Sequence, residues 1–386
     1  MKVGVLELLA WGGAPSWRQS LEDYVTTKQY ASIVPQAVAA WSRRLGHEVH
    51  YATFYGQGDP KRKLPDDLDL IFMSGYTKDS ALAYALAKLY KKEGTVTVIG
   101  GPHAKSFPHD CLRFFDLVVT QCDEALVGDI LGGHYEPNSI VSSGKALNSL
   151  PSLEERMPEV RAASFLRGTR PYFASMVPML SSLGCPYTCN FCADWNNPYS
   201  VLPTDQLEAD LKYLSANYPG VKITFRDPNF AVQFDKTLDI LERVPEGHRN
   251  PYIMESSLSV LKEDRLARLR DTNCFFIAPG VESWTDYSNK AGVGRKTGEE
   301  KVRLVAEHME MLHSYVPAIQ ANFMFGLDTD EGTEPVELTK DFMTRTPFAW
   351  PVVNIPVPFG GTPLHDDYLA DGRILDGIPF SFYYFP

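Results

Sequence analysis

The stretch LGCPYTCNFCADW (183–195) places Cys185, Cys189 and Cys192 within eight residues, at C-x-x-x-C-x-x-C spacing. It holds half of the six cysteines in a chain of 386 residues. Thiolates this close are costly unless a soft cation neutralises them, which favours zinc or an iron–sulfur cluster. Structural zinc needs a closed shell of four ligands, commonly two C-x-x-C pairs. The sequence has no second pair, and its nearest histidines, His134 and His248, stand more than fifty positions away. The i, i+4, i+7 spacing would also suit one face of a helix, which makes the cysteines packing residues. Pro186 and Asn190 make a regular helix poor here. Three thiolates suit three irons of a [4Fe–4S] cluster and leave the fourth iron open, much as a catalytic zinc keeps an open position. An open iron points to chemistry rather than structure. Cys111, Cys122 and Cys274 are scattered, and a buried-core position is the reading for each.

The elements that must position this loop follow from periodicity. Residues 1–135 alternate strand-like runs (VGVLELL, HEVHYATF, LDLIFMSG, TVTVIGG, DLVVTQ) with helical segments. One helix carries Val34, Ala37, Val38, Trp41 and Leu45 at three-to-four spacing and ends at Gly46. Short apolar runs between helices predict a parallel sheet covered on both faces, a doubly wound, Rossmann-like domain. Residues 136–172, rich in Ser, Gly and Pro, read as a surface linker. Residues 173–386 give about six further β/α units, too few for a closed barrel of eight, so a partial (β/α)6 TIM-type barrel is expected. In such folds chemistry sits at the C-terminal ends of strands, where the cysteines, Asp227, Glu255, Glu282 and Gly326 fall. The tail PFSFYYFP, apolar and aromatic, reads as a shortened C terminus that lacks part of a substrate pocket.

The cysteine stretch, with Phe191 just before its last cysteine, resembles the radical S-adenosylmethionine (radical SAM) enzymes. Four further segments keep that superfamily's order: FRDPNF (225–230), GVES (280–283) with Lys290 beyond it, NFMFGL (322–327) and PFGGTPLHDDYLADGRI (358–374). The resemblance implies that Cys185, Cys189 and Cys192 hold a [4Fe–4S] cluster. It implies that SAM chelates the open iron, and that one electron from the cluster cleaves it to a 5′-deoxyadenosyl radical that takes hydrogen from substrate. Phe191, Asp227, Asn229, Gly280 and Glu282 would contact SAM. No residue is singled out as a catalytic acid or base.

A doubly wound domain ahead of such a barrel resembles the cobalamin-binding (B12-binding) subgroup. MSGYT (73–77), VIGGPHAKSFP (98–108) and LVVTQCDEALVGDIL (117–131) carry the likeness. It implies a cobalamin bordered by Ser74, Gly75, Tyr76, Thr77, Gly100, Gly101, Pro102, His103 and Glu124. The glycines would let backbone approach a flat ligand. In the third segment Gln121, Cys122 and Asp123 replace most of the subgroup's usual pattern, and only Glu124 remains. No D-x-H-x-x-G is present, so no histidine ligand to cobalt is expected, and a domain without cobalamin is the alternative.

Net charge is −11, with 48 acidic against 37 basic residues and no Lys/Arg block, so nucleic acid is not an expected partner. No apolar run is long enough to cross a bilayer and no cleavable signal is visible, which predicts a soluble cytoplasmic protein with no membrane partner. The subgroup's reactions make a small-molecule or natural-product substrate and an electron donor such as flavodoxin or ferredoxin the expected partners. Methyl transfer leads, and cyclisation or rearrangement is its rival. A methylthiotransferase would need a second cluster on three N-terminal cysteines, and only Cys111 and Cys122 are there. A cobalamin-independent radical SAM enzyme and a non-catalytic iron–sulfur binding protein are the remaining alternatives.

Overall fold

The computed structural model describes residues 1–9, 31–56, 58–288 and 290–375. The chain divides into two units, one of Met1–Pro178 with the chain from Pro358 onward, the other Met179–Val357. The first contains β1 (Lys2–Leu8), α1 (Ile33–Arg44), β2 (Glu48–Phe54), β3 (Leu70–Ser74), α2 (Ser80–Lys92) and β4 (Val96–Gly100). The short helices α3 (Pro102–Ser106) and α4 (Pro108–Cys111) follow, then β5 (Leu117–Gln121), α5 (Glu124–Leu131), β6 (Ser139–Ser142) and α6 (Leu153–Ser164).

Its sheet runs β2-β1-β3-β4-β5-β6, and every pairing is parallel. Strand residues alternate between two cores. Val3, Val5, Leu70, Phe72, Val98 and Val119 pack with α1 and α5. Leu6, Leu8, Ile71, Met73, Ile99 and Val118 pack with α2 and the α3–α4 segment. Burial on both faces explains why the strands read as continuous apolar runs. The order reverses between β1 and β3, the switch point at whose C-terminal edge such sheets take ligands.

Two sequence expectations change here. Segment 136–172 holds the outer strand β6 and the helix α6, which opens with a capping box between Ser152 and Glu155. Pro158 inside α6, and the Ser, Gly and Pro around it, hide that helix from periodicity. Helix α1 is buried nearly all round, including Gln36, Ala39 and Ser42, while Val34 and Leu45 are exposed. The reason is α6, which packs against both α1 and strand β2, with Arg43 on Glu159 and Arg44 on Glu155, both at 2.7 Å. As expected, α1 ends at Gly46, whose N–H donates to Arg43 O at 3.0 Å while His47 N–H donates to Ser42 O at 3.2 Å.

The second sheet begins with β7 (Met176–Met179), followed by the ribbon strands β8 (Ser182–Leu183) and β9 (Ser200–Val201). Then come α7 (Thr204–Asn217), β10 (Lys222–Phe225), α8 (Phe234–Glu242), β11 (Tyr252–Met254), α9 (Glu263–Asp271), β12 (Cys274–Ile277) and β13 (Gly280–Glu282). The series closes with α10 (Gly298–His313), β14 (Ala318–Met324), α11 (Glu334–Arg345) and β15 (Ala349–Asn354). The expected single strand 274–283 is broken into β12 and β13. Both lie along the edge of β14 opposite β15, and Pro279 between them has no N–H to continue the ladder. Counting them as one, six strand positions run in chain order, a partial TIM-like barrel. The last strand starts at Ala349, earlier than VVNIPVPF suggests, because its edge position tolerates Pro351.

From Pro358 the chain belongs to the first unit, although sequence grouped 358–374 with the barrel. Gly360 lies against the Ser106 carbonyl and the Phe107 ring, and His365, on α12 (Pro363–Ala370), meets Phe107 edge-on at 6.0 Å. The tail PFSFYYFP lies outside the described residues. Among the described residues no helix is long and apolar enough to cross a membrane.

Candidate functional site

The cysteine loop leaves β8 and returns on β9, whose antiparallel pairing (Ser182 with Val201, Leu183 with Ser200) closes its base. Gly184 makes the exit turn at φ 67°, and a Cβ there would strike the carbonyls of Pro198 and Asn197. Only glycine suits both demands. Within the loop, Cys185 N–H donates to Asn197 O (3.2 Å), Cys192 N–H to Cys189 O (3.1 Å) and Trp195 N–H to Cys192 O (3.0 Å). Asp194 N–H points at Cys192 Sγ, 3.4 Å away. The three cysteines thus sit half-buried on successive turns, and the helical packing alternative falls. Among the described residues no three His, Cys, Asp or Glu side chains are arranged to hold a single metal ion. A cluster asks something different of its ligands, one thiolate per iron.

The loop's electrostatics suit soft anionic ligands. Burial pushes the Cys189 and Cys192 thiols up, and for Cys189 the other two cysteines and Glu282 push the same way. Lys290 opposes this at both sulfurs. Its Nζ lies 3.1 Å from Glu282 Oε1 and 5.6 Å from the ring centre of Phe191. Burial works against the lysine's charge, yet Glu282 and the two thiols hold its pKa above the ordinary value. Phe191 stacks on Tyr287 at 5.9 Å and 17°, and Tyr287 Oη donates to Asn190 Oδ1 at 2.7 Å. Glu282 ends β13 at φ 67°, and a Cβ on Gly280 would strike its carboxylate. A sulfur-only donor set beside one balancing cation fits a thiolate-bound cluster. Phe191, Gly280 and Glu282, named from sequence, converge here with Lys290.

Asp227 and Asn229 serve differently. Asp227 is buried, and its carboxylate accepts from Ser181 N–H (3.1 Å), Ser181 Oγ (2.5 Å) and Ser182 Oγ (2.6 Å). It fixes the turn from which β8 launches the cysteine loop. Asn229 Oδ1 accepts from Ser257 N–H at 2.9 Å, and Ser259 Oγ donates to Ser257 Oγ at 3.0 Å. Ser259 in turn bonds Tyr187 Oη inside the cysteine loop, and its N–H donates to Lys290 O at 3.3 Å. Sequence reading missed Gly184, Tyr187, Ser259 and Tyr287. Of these, only Gly184, directly before Cys185, carried a signal.

In the first unit the expected residues gather at the ends of β3 and β4. His103 N–H donates to Gly75 O at 3.3 Å, and Gly101, at φ 88°, has Ser74 Oγ only 2.6 Å from where its Cβ would stand. The close approach that glycine permits at 101 is therefore to the end of β3. Gly100 has ordinary contact, with Val119 Cβ 3.8 Å from a Cβ there. Tyr76 is partly exposed and Thr77 is buried. His103 is buried, with Nε2 2.6 Å from Tyr84 Oη, and Tyr84 Oη donates to Asp110 Oδ2 at 2.6 Å. Burial lowers the His103 pKa to about 4. Glu124 pairs with Arg44 at 2.7 Å.

Cys111 and Cys274 are buried and Cys122 is half-buried. Burial pushes each up to about 12, and among the described residues no lysine or arginine charge opposes it.

Residues 179–341 match the family model described as the Radical SAM superfamily. Bacteriochlorophyllide d C-12(1)-methyltransferase of Chlorobaculum tepidum is 23% identical over 338 residues, covering 83% of this chain and 71% of the relative. The C-8(2)-methyltransferase of the same organism is 24% identical over 323 residues, covering 80% and 70%. The structure of the radical SAM methyltransferase TsrM from Kitasatospora setae, with cobalamin and a [4Fe–4S] cluster bound, superposes with a TM-score of 0.65 at 14% identity. That likeness covers 96% of this chain and 75% of TsrM, and it shows a shared fold.

Proposed function

We propose that this chain, a radical SAM superfamily protein over residues 179–341, is a cobalamin-dependent methyltransferase acting on an unactivated carbon of a small natural product. The observation that carries the reading is the Cys185–Cys189–Cys192 loop facing the Lys290–Glu282 pair, in a chain that also holds a doubly wound sheet. Two relatives named as bacteriochlorophyllide d methyltransferases support methyl transfer over rearrangement. The cobalamin in TsrM supports assigning that cofactor to the first unit.

When bound, a [4Fe–4S] cluster with SAM supplies a 5′-deoxyadenosyl radical, and cobalamin carries the methyl group. Cys185, Cys189 and Cys192 would hold the cluster, while Lys290 tempers their charge. Phe191, Gly280 and Glu282 would border SAM, and Asp227 and Asn229 would hold the serine hydroxyls that brace that site. Ser74–Thr77, Gly100–His103 and Glu124 would border the corrin. A flavodoxin or ferredoxin would supply the electron.

Anaerobic reconstitution with iron and sulfide tests this, read by optical and EPR spectra with and without SAM and hydroxocobalamin. The expected result is one cluster of about four irons whose EPR signal SAM perturbs, together with corrin retained on gel filtration. A cluster without corrin would leave a cobalamin-independent radical SAM enzyme. A cluster that SAM does not perturb would leave an iron–sulfur binding protein.

A further inference from the structure

Asp79 closes the 3-10 turn Thr77–Asp79, which runs directly into helix α2. Its side chain makes no capping bond to that helix. The residue is only 5% exposed, and its Oδ2 has no hydrogen-bond partner among the described residues. Burial raises its pKa to about 7, against the opposing charge of Lys78 and a backbone bond from Tyr76. A buried carboxyl oxygen left without a donor is costly and uncommon.

Its place in the fold gives that cost a use. A Cβ on Gly75, just past the end of β3, would lie 3.6 Å from Asp79 Cβ and 3.6 Å from Leu8 Cβ at the end of β1, so Asp79 packs beside the residue where those two strand ends meet. That is the switch point of the β2-β1-β3-β4-β5-β6 sheet, the edge at which doubly wound sheets take ligands. Two independent observations, an unanswered buried acceptor and a ligand-binding edge, meet at one residue.

We propose that Asp79 is a ligand-binding residue of the first unit, accepting a hydrogen bond from a carboxamide N–H on the rim of a corrin bound at the β1–β3 switch point. This rests on the cobalamin reading. Primary carboxamides ring the corrin, and an acceptor beside a glycine, where backbone comes close, matches such a donor.

The test is hydroxocobalamin affinity of the anaerobically purified full chain, by absorbance titration and gel filtration. Asp79→Leu and Asp79→Ala should weaken binding about tenfold or more, while the melting temperature of corrin-free protein does not fall. Asp79→Asn keeps an acceptor oxygen and should bind like wild type. If the leucine variant does not fold, the alanine variant decides. Corrin binding as tight as wild type in the leucine and alanine variants overturns the proposal, as does equal loss in Asp79→Asn. Wild-type protein that takes up no corrin overturns the cobalamin reading, and this inference with it.

Discussion

Lys290 donates from Nζ to Glu282 Oε1 across 3.1 Å, and the same ammonium faces the thiols of Cys189 and Cys192. One cation thus ties the end of a barrel strand to the cysteine loop. Lys290→Met should leave a cluster that still assembles, because the sulfurs remain, but should weaken SAM binding about tenfold or more by stranding the Glu282 carboxylate. Isothermal titration with SAM on the reconstituted variant measures this.

The pair should also survive alkaline conditions. The folded pKa of Lys290 is raised above 10.5, so the stabilisation it brings is fully present below that value. It is lost only as pH climbs through the higher folded value. SAM perturbation of the cluster's EPR signal should therefore stay level between about pH 7 and 10, and a decline centred near pH 8 would refute the lysine's role.

Cys185→Ala, Cys189→Ala or Cys192→Ala should each abolish SAM cleavage, and normal cleavage in any of them would sink the cluster assignment. Cys111→Ala, Cys122→Ala and Cys274→Ala should keep the iron, at a stability cost of roughly 1–2 kcal/mol where the thiol is buried. Iron loss in the Cys111 or Cys122 variant would revive the two-cluster methylthiotransferase alternative.

Gly184→Ala should lower iron content while leaving the barrel folded, since the added Cβ meets the Pro198 and Asn197 carbonyls at φ 67°. Strain of this kind costs about 1–3 kcal/mol and falls on the cluster loop. Iron assay with far-UV circular dichroism separates loop damage from global unfolding. The two glycines of the first unit should differ likewise. Gly100→Ala meets only ordinary contact, whereas Gly101→Ala drives into Ser74 Oγ and should lower the melting temperature.

Asp79 should leave a pH signature. Its folded pKa of about 7 lies above the unfolded value of 3.8, so the folded chain binds that proton more tightly. Its contribution to stability then falls as pH rises from about 4 to 7 and stays level beyond. At pH 8, corrin-free Asp79→Asn should be more stable than wild type, by up to about 4 kcal/mol, and near pH 4 the two should match. Equal stability at both pH values would mean that Asp79 Oδ2 has a partner too.

The sequence by itself determined the chemistry-bearing loop and the order of the elements. Ligand identity resides in residue type and local spacing, so three cysteines at 185, 189 and 192 were legible. The two alternating β/α series were legible because parallel strands buried on both faces read as apolar runs. Tertiary structure decided what depends on contacts between distant residues. That Lys290 answers Cys189 and Cys192, or that Ser181 and Ser182 engage Asp227, follows from strand ends meeting at one edge of a sheet. Helix α6 escaped the sequence because Pro158 and polar neighbours mask its period, and its worth lies in covering α1. The turn at 358, which returns the chain to the first unit, has no local signal at all, since what holds it is the fit of Gly360 against Ser106 and Phe107.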